Sequence, residues 1–229
     1  HFYDTYFNAR TSIVFSGNAR QIEFVDVNFK SSTSLDIYDK RTILMFFDAT
    51  IESVVNLSLI FERGVKSLLT YKQSNRIRFF GSKFKSNSSL LILPSSESTL
   101  IFTKAFFETN SSLNISGNVD TINFYNTQIL SQSSLYICGN VQMLVFYKIT
   151  VQSNSLLDIS GNVTELSFNN AILKSNSFLY ISGHTKLLKF RNTTFEANSS
   201  QFVSGTISKM ELDIINFYSP PDQINIDNN

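Results

Sequence analysis

The chain has 229 residues, of which 42% are hydrophobic, and its 19 Lys and Arg nearly balance its 18 Asp and Glu. This near-neutral charge gives no support to binding of nucleic acid or of an acidic membrane surface. No apolar run approaches the roughly 18 residues that a membrane-spanning helix needs, and the single cysteine, Cys138, excludes an intrachain disulfide framework.

A unit of 22 residues organises the sequence and is clearest from residue 113 onward. The segment LNISGNVDTINFYN at 113–126 is followed at that interval by LYICGNVQMLVFYK, LDISGNVTELSFNN and LYISGHTKLLKFRN. Within each unit apolar residues recur at every second position, which is the spacing of a strand with one buried face. Asn, Gly and Ser between the apolar segments favour turns.

Five positions of the unit form apolar columns that we predict to face the core. They are Leu113, Leu135, Leu157 and Leu179; Ile115, Ile137, Ile159 and Ile181; Ile122, Leu144, Leu166 and Leu188; Phe124, Phe146, Phe168 and Phe190; and Ile129, Val151, Leu173 and Phe195. One unit buries only about six apolar side chains, and the free energy gained does not offset the entropy lost when the whole unit becomes ordered. A stack of units is therefore needed for stability. The pattern therefore predicts a β-solenoid.

The same register continues on both sides of these four copies. It takes in Phe2, Phe7, Ile13, Ile22, Phe24, Phe29, Leu35, Ile37, Leu44, Phe46, Ile51, Leu57, Leu90, Ile92, Leu100, Phe102, Phe107, Met210, Leu212 and Phe217. Phe2 and Phe7 match the second half of a unit, so the chain begins in mid-coil. The spacing of 33 residues between Leu57 and Leu90 predicts an insertion or an irregular rung across 57–89.

We therefore predict one all-β domain over residues 1–219, a parallel β-helix of about ten 22-residue coils with three short strands each. Residues 220–229 are expected to form a C-terminal tail or exit linker, because Pro220 and Pro221 cannot donate backbone hydrogen bonds to a neighbouring strand. Since neither an initiator Met nor a signal peptide precedes His1, we expect a processed product or an excerpt.

Coils of this length, with L-x-I strands, turn Asn and stacked aromatics, resemble the right-handed parallel β-helices of pectate lyases, phage tailspikes and surface adhesins. The resemblance covers nearly the whole chain and is one of architecture. It implies a right-handed solenoid, and it implies that function is to be sought in columns of residues at equal coil positions.

One such column, thirteen positions after the start of each unit, begins with Asp4, Asp26 and Asp48. It continues with Gly81, Lys104, Asn126, Lys148, Asn170 and Asn192. We interpret it as an internal turn ladder of left-handed residues that is solvated at its acidic end, with Asn192 pointing inward. The alternative is a functional site, because stacked carboxylates repel unless a cation or a raised pKa relieves them. In the resembled lyases and glycosidases, clustered acids bind Ca²⁺ or perform acid/base catalysis.

Two outward columns are predicted to make surface contacts. Phe47, Phe80, Tyr125 and Tyr147 lie twelve positions after the start and can stack on sugar rings or on another rod, unless Ser-rich bends cover them. The column at seventeen alternates in charge and is expected to control register through weak ion pairs. Its members are Lys30, Glu52, Lys85, Glu108, Lys174 and Glu196.

Seven N-x-S/T sequons are candidate glycosylation sites, and they favour secretion. They start at Asn56, Asn87, Asn110, Asn114, Asn162, Asn192 and Asn198. Three of them, Asn87, Asn110 and Asn198, share one exposed bend of the unit. Asn192 is expected to stay bare.

The sequence offers no set of nucleophile, His and acid, because His1 is terminal and His184 takes the place of a turn Asn. We therefore expect a non-enzymatic structural element of an extracellular or cell-surface assembly. Since a mid-coil start exposes unpaired strand edges, another copy or another chain is expected to dock at the N-terminal end. The alternative is a carbohydrate-active enzyme or glycan-binding rod that uses the column of Asp4, Asp26 and Asp48.

Overall fold

The computed structural model describes residues 1–8, 10–16, 21–30, 33–38, 43–52, 54–59, 76–94, 98–218 and 224–226. These residues form parallel strands and turns, and none of them is helical. Each strand pairs with the equivalent strand of the next turn, usually 22 residues away. The predicted all-β parallel solenoid is confirmed.

Each turn contributes two strands to an 18-stranded sheet, which we call sheet 1. The first strands of the turns are β1 (Phe2–Tyr3), β4 (Gln21–Val25), β7 (Ile43–Phe47), β10 (Arg76–Phe80), β13 (Thr99–Thr103), β16 (Val119–Tyr125), β19 (Val141–Tyr147) and β22 (Val163–Asn169). The second strands are β2 (Tyr6–Phe7), β5 (Asn28–Phe29), β8 (Thr50–Ile51), β11 (Lys83–Phe84), β14 (Phe106–Phe107), β17 (Gln128–Ile129), β20 (Thr150–Val151) and β23 (Ile172–Leu173). Two longer strands, β25 (Thr185–Phe195) and β27 (Ile207–Phe217), complete the sheet.

The third strand of each turn belongs to a ten-stranded sheet, sheet 2, which carries the L-x-I segments. Its strands are β3 (Thr11–Ser16), β6 (Thr33–Tyr38), β9 (Val54–Leu59), β12 (Ser89–Leu93), β15 (Ser112–Ile115), β18 (Ser134–Ile137), β21 (Leu156–Ile159), β24 (Phe178–Ile181), β26 (Ser200–Val203) and β28 (Ile224–Ile226). Sheet 1 and sheet 2 enclose the core between them.

The predicted number of coils was too high, since the structure has about eight turns of this kind and not ten. The turns up to β24 have three separate strands, whereas β25 and β27 each run through the corner that elsewhere divides the first strand from the second. The repeat therefore loses its three-strand form near Thr185.

The predicted alignment of Leu57 with Leu90 is also wrong, by two residues. In sheet 2, Leu57 pairs with Ile92 and Leu90 pairs with Val55, while in sheet 1 β10 pairs directly with β7. A shift of two residues keeps the same face of a strand inward, so the hydrophobic pattern does not reveal it. The insertion itself falls mainly on residues 60–75, which lie outside the described residues.

The five predicted apolar columns are buried throughout the four clear copies of the unit. Their most regular feature is a stack of nine phenylalanine rings that runs from Phe2 to Phe190, with successive centroids 4.6–5.1 Å apart and planes within 14°. Parallel in-register pairing sets this spacing, because neighbouring strands lie about 4.8 Å apart. The side chains of Ile37 and Leu57, also predicted to be core, lie outside the described residues.

A column of glycines also stacks along the solenoid, between sheet 2 and the following strand of sheet 1. It consists of Gly117, Gly139, Gly161, Gly183 and Gly205. A Cβ on Gly139, Gly161, Gly183 or Gly205 would fall on the carbonyl of the glycine one turn earlier. Only Gly117 among the five has a positive φ, so the requirement at the other four is close backbone approach and not an unusual conformation.

Candidate functional site

The aspartates of the predicted site lie at the corner between the first and second strands of sheet 1. Asp4, Asp26 and Asp48 have φ of 46°, 53° and 50°, and the positive φ recurs at this position in later turns. The left-handed conformation predicted for the column is confirmed. All three aspartates are exposed, as expected for the acidic end of the ladder, while the next residue in each complete turn, such as Val27 or Ala49, is buried.

Asn192 follows the same rule and corrects the expectation that it points inward. It is exposed, with φ of 46°, and its Nδ2 donates a hydrogen bond of 2.7 Å to Asn170 Oδ1 in the preceding turn. At this corner the left-handed residue turns its side chain outward, and the residue after it enters the core. The sequence signal for this outward orientation is that a small or apolar residue follows the left-handed residue in each turn.

The acids of the corner column do not form a metal-binding group. Among the described residues, no group of three or more His, Cys, Asp and Glu side chains is placed to hold a metal ion. The carboxylate of Asp48 occupies the space that a Cβ on Gly81 would fill, so Gly81 gives it room. Farther along, Lys104 and Lys148 take the same position with φ of 53°.

The predicted aromatic column forms two separate pairs and not a continuous strip. Phe47 and Phe80 have ring centroids 6.2 Å apart, as do Tyr125 and Tyr147, and Thr103 lies between the two pairs in register. Lys104 Nζ lies 5.5 Å from the Phe80 ring centroid, and Lys148 Nζ lies 5.5 Å from that of Tyr147. The exposed ring of each pair therefore has its own ammonium group.

Two ion pairs are present among the neighbouring opposite charges of the alternating column. Lys85 bonds Glu108 at 3.0 Å and Lys174 bonds Glu196 at 2.8 Å. The lysine hydrogen bond in each pair lowers the pKa of the glutamate below its usual value, and a backbone N–H, from Ser86 or Ser175, acts in the same direction. The side chains are largely solvated, so each pair adds only a few tenths of a kcal/mol.

Lys30 and Glu52, which are neighbours in the same column, do not form an ion pair. Lys30 Nζ lies 5.3 Å from the centroid of the Tyr6 ring, while Glu52 Oε1 accepts a hydrogen bond of 2.8 Å from Asn28 Nδ2. The Tyr6 ring thus competes with Glu52 for the ammonium group of Lys30, and the Asn28 amide competes with Lys30 for the carboxylate of Glu52. The alternation in sequence alone does not reveal that competition.

The sequons occupy several kinds of position. Asn87, Asn110 and Asn198 are exposed and have φ of 63°, 60° and 57° in the bend that precedes sheet 2. Asn162 is exposed and Asn114 is half-buried, with its Oδ1 buried and unpaired. The backbone of Asn56 lies in β9, but its side chain is outside the described residues.

A polar groove of about 520 Å³ runs beside the glycine column over four turns. It is lined by Asn118, Val119, Asp120, Asn140, Val141, Gln142, Asn162, Val163, Thr164, His184 and Lys186. Asn140 Nδ2 donates to Asn118 Oδ1 at 3.0 Å, and His184 N donates to Asn162 Oδ1 at 2.9 Å. These bonds join successive turns, so the groove is first a structural ladder, as the turn position predicted for His184 implied.

The outer face of sheet 2 carries a second group of aromatic residues, which sequence reasoning missed. Phe178, Tyr180 and Phe202 are 37%, 39% and 42% exposed, and their ring centroids lie 6.3 and 5.8 Å apart. Asp158 pairs in register with Tyr136 on one side and Tyr180 on the other. The sequence signal for Tyr180 and Phe202 is the middle, outward-facing residue of the strand segment, and Phe178 is the outward residue that precedes Leu179.

Comparisons with protein-family models, with curated proteins and with solved structures give no match to this chain. The resemblance to pectate lyases, tailspikes and adhesins is therefore supported only as a parallel β-solenoid. The part of the chain that the structure describes contains no helix long and apolar enough to cross a membrane. The chain is, at this level, a β-solenoid repeat protein.

Proposed function

We propose that this chain is a structural β-solenoid of an extracellular or cell-surface assembly, in which copies stack end to end. The observation that carries the proposal is the exposed end face of β27, the last described strand of sheet 1. Leu212 is 60% exposed and Phe217 is 39% exposed, although both occupy columns that are buried in earlier turns. Because the apolar side chains of this rung are exposed at the end of the stack, they favour the packing of a further rung against them.

A second copy supplies a rung of matching chemistry. Phe2 begins the column that contains Leu212, and Phe7 begins the column that contains Phe217. Phe195 and Phe217 already stack at 5.4 Å, and Phe7 and Phe29 stack at 5.1 Å, so a Phe217–Phe7 contact between copies would repeat an existing geometry. Glu211 would face His1 of the next copy, as Glu23 faces His1 within one chain.

The carbohydrate-active alternative has less support in the geometry. Asp4, Asp26 and Asp48 lie one above another on the same exposed corner of successive turns, with side chains directed away from the core, and among the described residues no group of three acids is placed to hold a metal ion. Acid/base catalysis on a sugar needs two carboxyl groups placed around one bond. The proposed role is therefore mechanical, with stacked strands as a stiff spacer whose outer columns carry contacts and glycans.

Electron microscopy of the concentrated protein tests the stacking. We expect rods whose lengths are multiples of one chain, each rung adding about 4.8 Å. Leu212→Lys should reduce the population to single rods, because a charge in the apolar junction loses the burial of Leu212 and leaves the lysine without solvent. Since Leu212 is largely exposed in one chain, the far-ultraviolet circular dichroism should not change.

Tyr147→Lys is the matched control, since Tyr147 is exposed on the side of the rod and not at its end. It should leave the length distribution as in the parent protein. Single rods at every concentration of the parent protein, or equal lengths for the parent and Leu212→Lys, would contradict the proposed end-to-end contact.

We also propose that the bend before sheet 2 carries N-linked glycans at Asn87, Asn110 and Asn198. All three are exposed and project from the same corner, so their glycans would leave the end faces free. Mass spectrometry of protein secreted from eukaryotic cells should find these three sites occupied. Asn114 is expected to be bare, because its amide oxygen is buried. Bare side chains at all three bend positions in the secreted protein would refute this part of the proposal.

A further inference from the structure

A carboxylate that has no partner lies in register beside the aromatic group on the outer face of sheet 2. Asp158 is half-buried in β21, and among the described residues it makes no ion pair and no hydrogen bond through its side chain. Partial burial raises the pKa of its carboxyl group above the usual value for aspartate. A carboxylate in this setting is poorly solvated and gains from any cation or donor that reaches it.

The surrounding face offers no cation of its own. In β15, β18, β21, β24 and β26, Asp158 is the one charged residue. The titratable groups on the neighbouring turns are Tyr136 of β18, Cys138 directly after β18, and Tyr180 of β24, and none of them is a basic residue.

Aromatic rings on sheet 1 differ from those on sheet 2 because they have lysine neighbours. On that sheet Tyr6, Phe80 and Tyr147 each have a lysine Nζ 5.3–5.5 Å from the ring centroid. On sheet 2, no Lys or Arg among the described residues lies over Tyr136, Phe178, Tyr180 or Phe202. The rings that flank Asp158 therefore combine a free aromatic surface with a free negative charge.

The spacing of the column fits one cationic group. Tyr136 and Tyr180 lie two turns apart, with the shorter Asp158 between them, so their backbones are separated by roughly 9–10 Å. A cation that contacts two opposed rings lies within about 6 Å of each centroid. An ammonium or guanidinium group can thus sit in this notch above the carboxylate, with Phe178 and Phe202 extending the apolar wall beside it.

We infer that the notch formed by Tyr136, Asp158 and Tyr180, with Phe178 and Phe202 beside it, binds an organic cation such as a quaternary ammonium or a guanidinium group. The exposed aromatic surface spans only a few side chains, far less than a stable protein interface needs. The site therefore fits a single cationic head group better than a flat protein surface. This inference is independent of end-to-end stacking, since sheet 2 lies on the side of the rod.

The test is a nuclear magnetic resonance titration of the ¹⁵N-labelled protein at neutral pH. The probes are tetramethylammonium chloride, N-acetyl-arginine amide, the uncharged isostere 2,2-dimethylpropanol, and a neutral oligosaccharide, cellotetraose. We expect the two cations to shift the backbone amide signals of Tyr136, Asp158 and Tyr180, and the two neutral probes to leave them unchanged. A stronger response to tetramethylammonium indicates a quaternary ammonium ligand, and a stronger response to the arginine amide indicates a guanidinium ligand.

Two variants and two controls make the titration decisive. Asp158→Asn and Tyr180→Ala should each weaken cation binding about tenfold or more, since each removes a main attraction. Asp120→Asn in the polar groove and Tyr147→Ala on sheet 1 should leave the affinity unchanged. Asp158→Asn removes an unpaired, half-buried charge, so it should not lower the melting temperature at neutral pH.

The pH dependence has a defined sign. Because the folded-state pKa of Asp158 is raised, its carboxyl group takes up a proton at higher pH than an ordinary aspartate, and cation binding is lost as pH falls through that value. Equal affinity in the parent and Asp158→Asn would overturn the inference. Shifts produced by cellotetraose and not by the cations would also overturn it, and would assign the face to saccharides.

Discussion

Replacing Phe146 by Ala is expected to lower the free energy of unfolding by about 3–5 kcal/mol. Phe146 is fully buried and stacks between Phe124 at 5.1 Å and Phe168 at 4.8 Å. The stack follows the spacing of the backbone hydrogen bonds, so the neighbouring rings cannot close the cavity without moving whole turns. Removing the ring therefore loses both its burial and the contacts of two neighbours.

The matched control is Tyr147→Ala, one residue later on the same strand. Tyr147 is 36% exposed and faces solvent on the outer side of β19. We expect it to cost less than about 1 kcal/mol, which is usual for an exposed position. Urea-induced unfolding followed by circular dichroism measures both variants. A loss below 1 kcal/mol for Phe146→Ala would refute the inward assignment of this column.

Replacing Gly161 by Ala is expected to cost about 3 kcal/mol, although the added group is a single methyl. The Cβ would overlap the carbonyl oxygen of Gly139 in the previous turn. Backbone atoms on both sides are held by the parallel strands, so the overlap cannot be relieved by a change of rotamer. The two turns must instead separate locally, which weakens the hydrogen bonds of sheet 2 next to the glycine column.

Ser160→Ala is the control for this substitution, because Ser160 is exposed and immediately precedes Gly161. It should change the unfolding free energy by no more than about 0.5 kcal/mol. Thermal unfolding of both variants, compared with the parent protein, makes the measurement. If Gly161→Ala were as stable as Ser160→Ala, the turns would have to be farther apart at this column than the structure places them.

The core could be predicted from the sequence because burial alternates strictly along each strand. Leu157 and Ile159 face inward and Asp158 faces outward, and this period of two is visible without any structure. The columns repeat every 22 residues, so a single correct alignment places all the rungs. The same periodicity hides a shift of two residues, which is why the pairing of Leu57 with Ile92 was missed.

The corner positions were harder to predict, because local conformation there does not decide which way a side chain points. Asn192 adopts the left-handed conformation that its residue type favours, yet it projects outward and not into the core. The glycine column was missed for a related reason. Gly161 is required by the carbonyl of the neighbouring turn, and that contact depends on how closely two turns approach. Sequence spacing alone does not determine that approach.

The candidate sites depended on contacts between columns as well as within them. Lys104 and Lys148 lie beside the aromatic column at position twelve and cover Phe80 and Tyr147. On sheet 2, by contrast, no Lys or Arg among the described residues lies over the aromatic rings, and Tyr136 and Tyr180 flank Asp158. Both arrangements require knowing which columns are neighbours and how far a side chain reaches. Columns taken one at a time identify the residues, but they do not predict contacts between residues of neighbouring columns.

The central claim is that turns 22 residues apart pair in parallel and in register, and nuclear magnetic resonance measures this directly. In protein labelled with ¹³C and ¹⁵N, cross-strand contacts should join Leu135 to Leu157 and Ile137 to Ile159, as the pairing of β18 with β21 requires. Contacts at a constant separation of 22 residues along the four clear copies would support the account. Contacts in which one residue number rises as the other falls would show antiparallel pairing, and would contradict it.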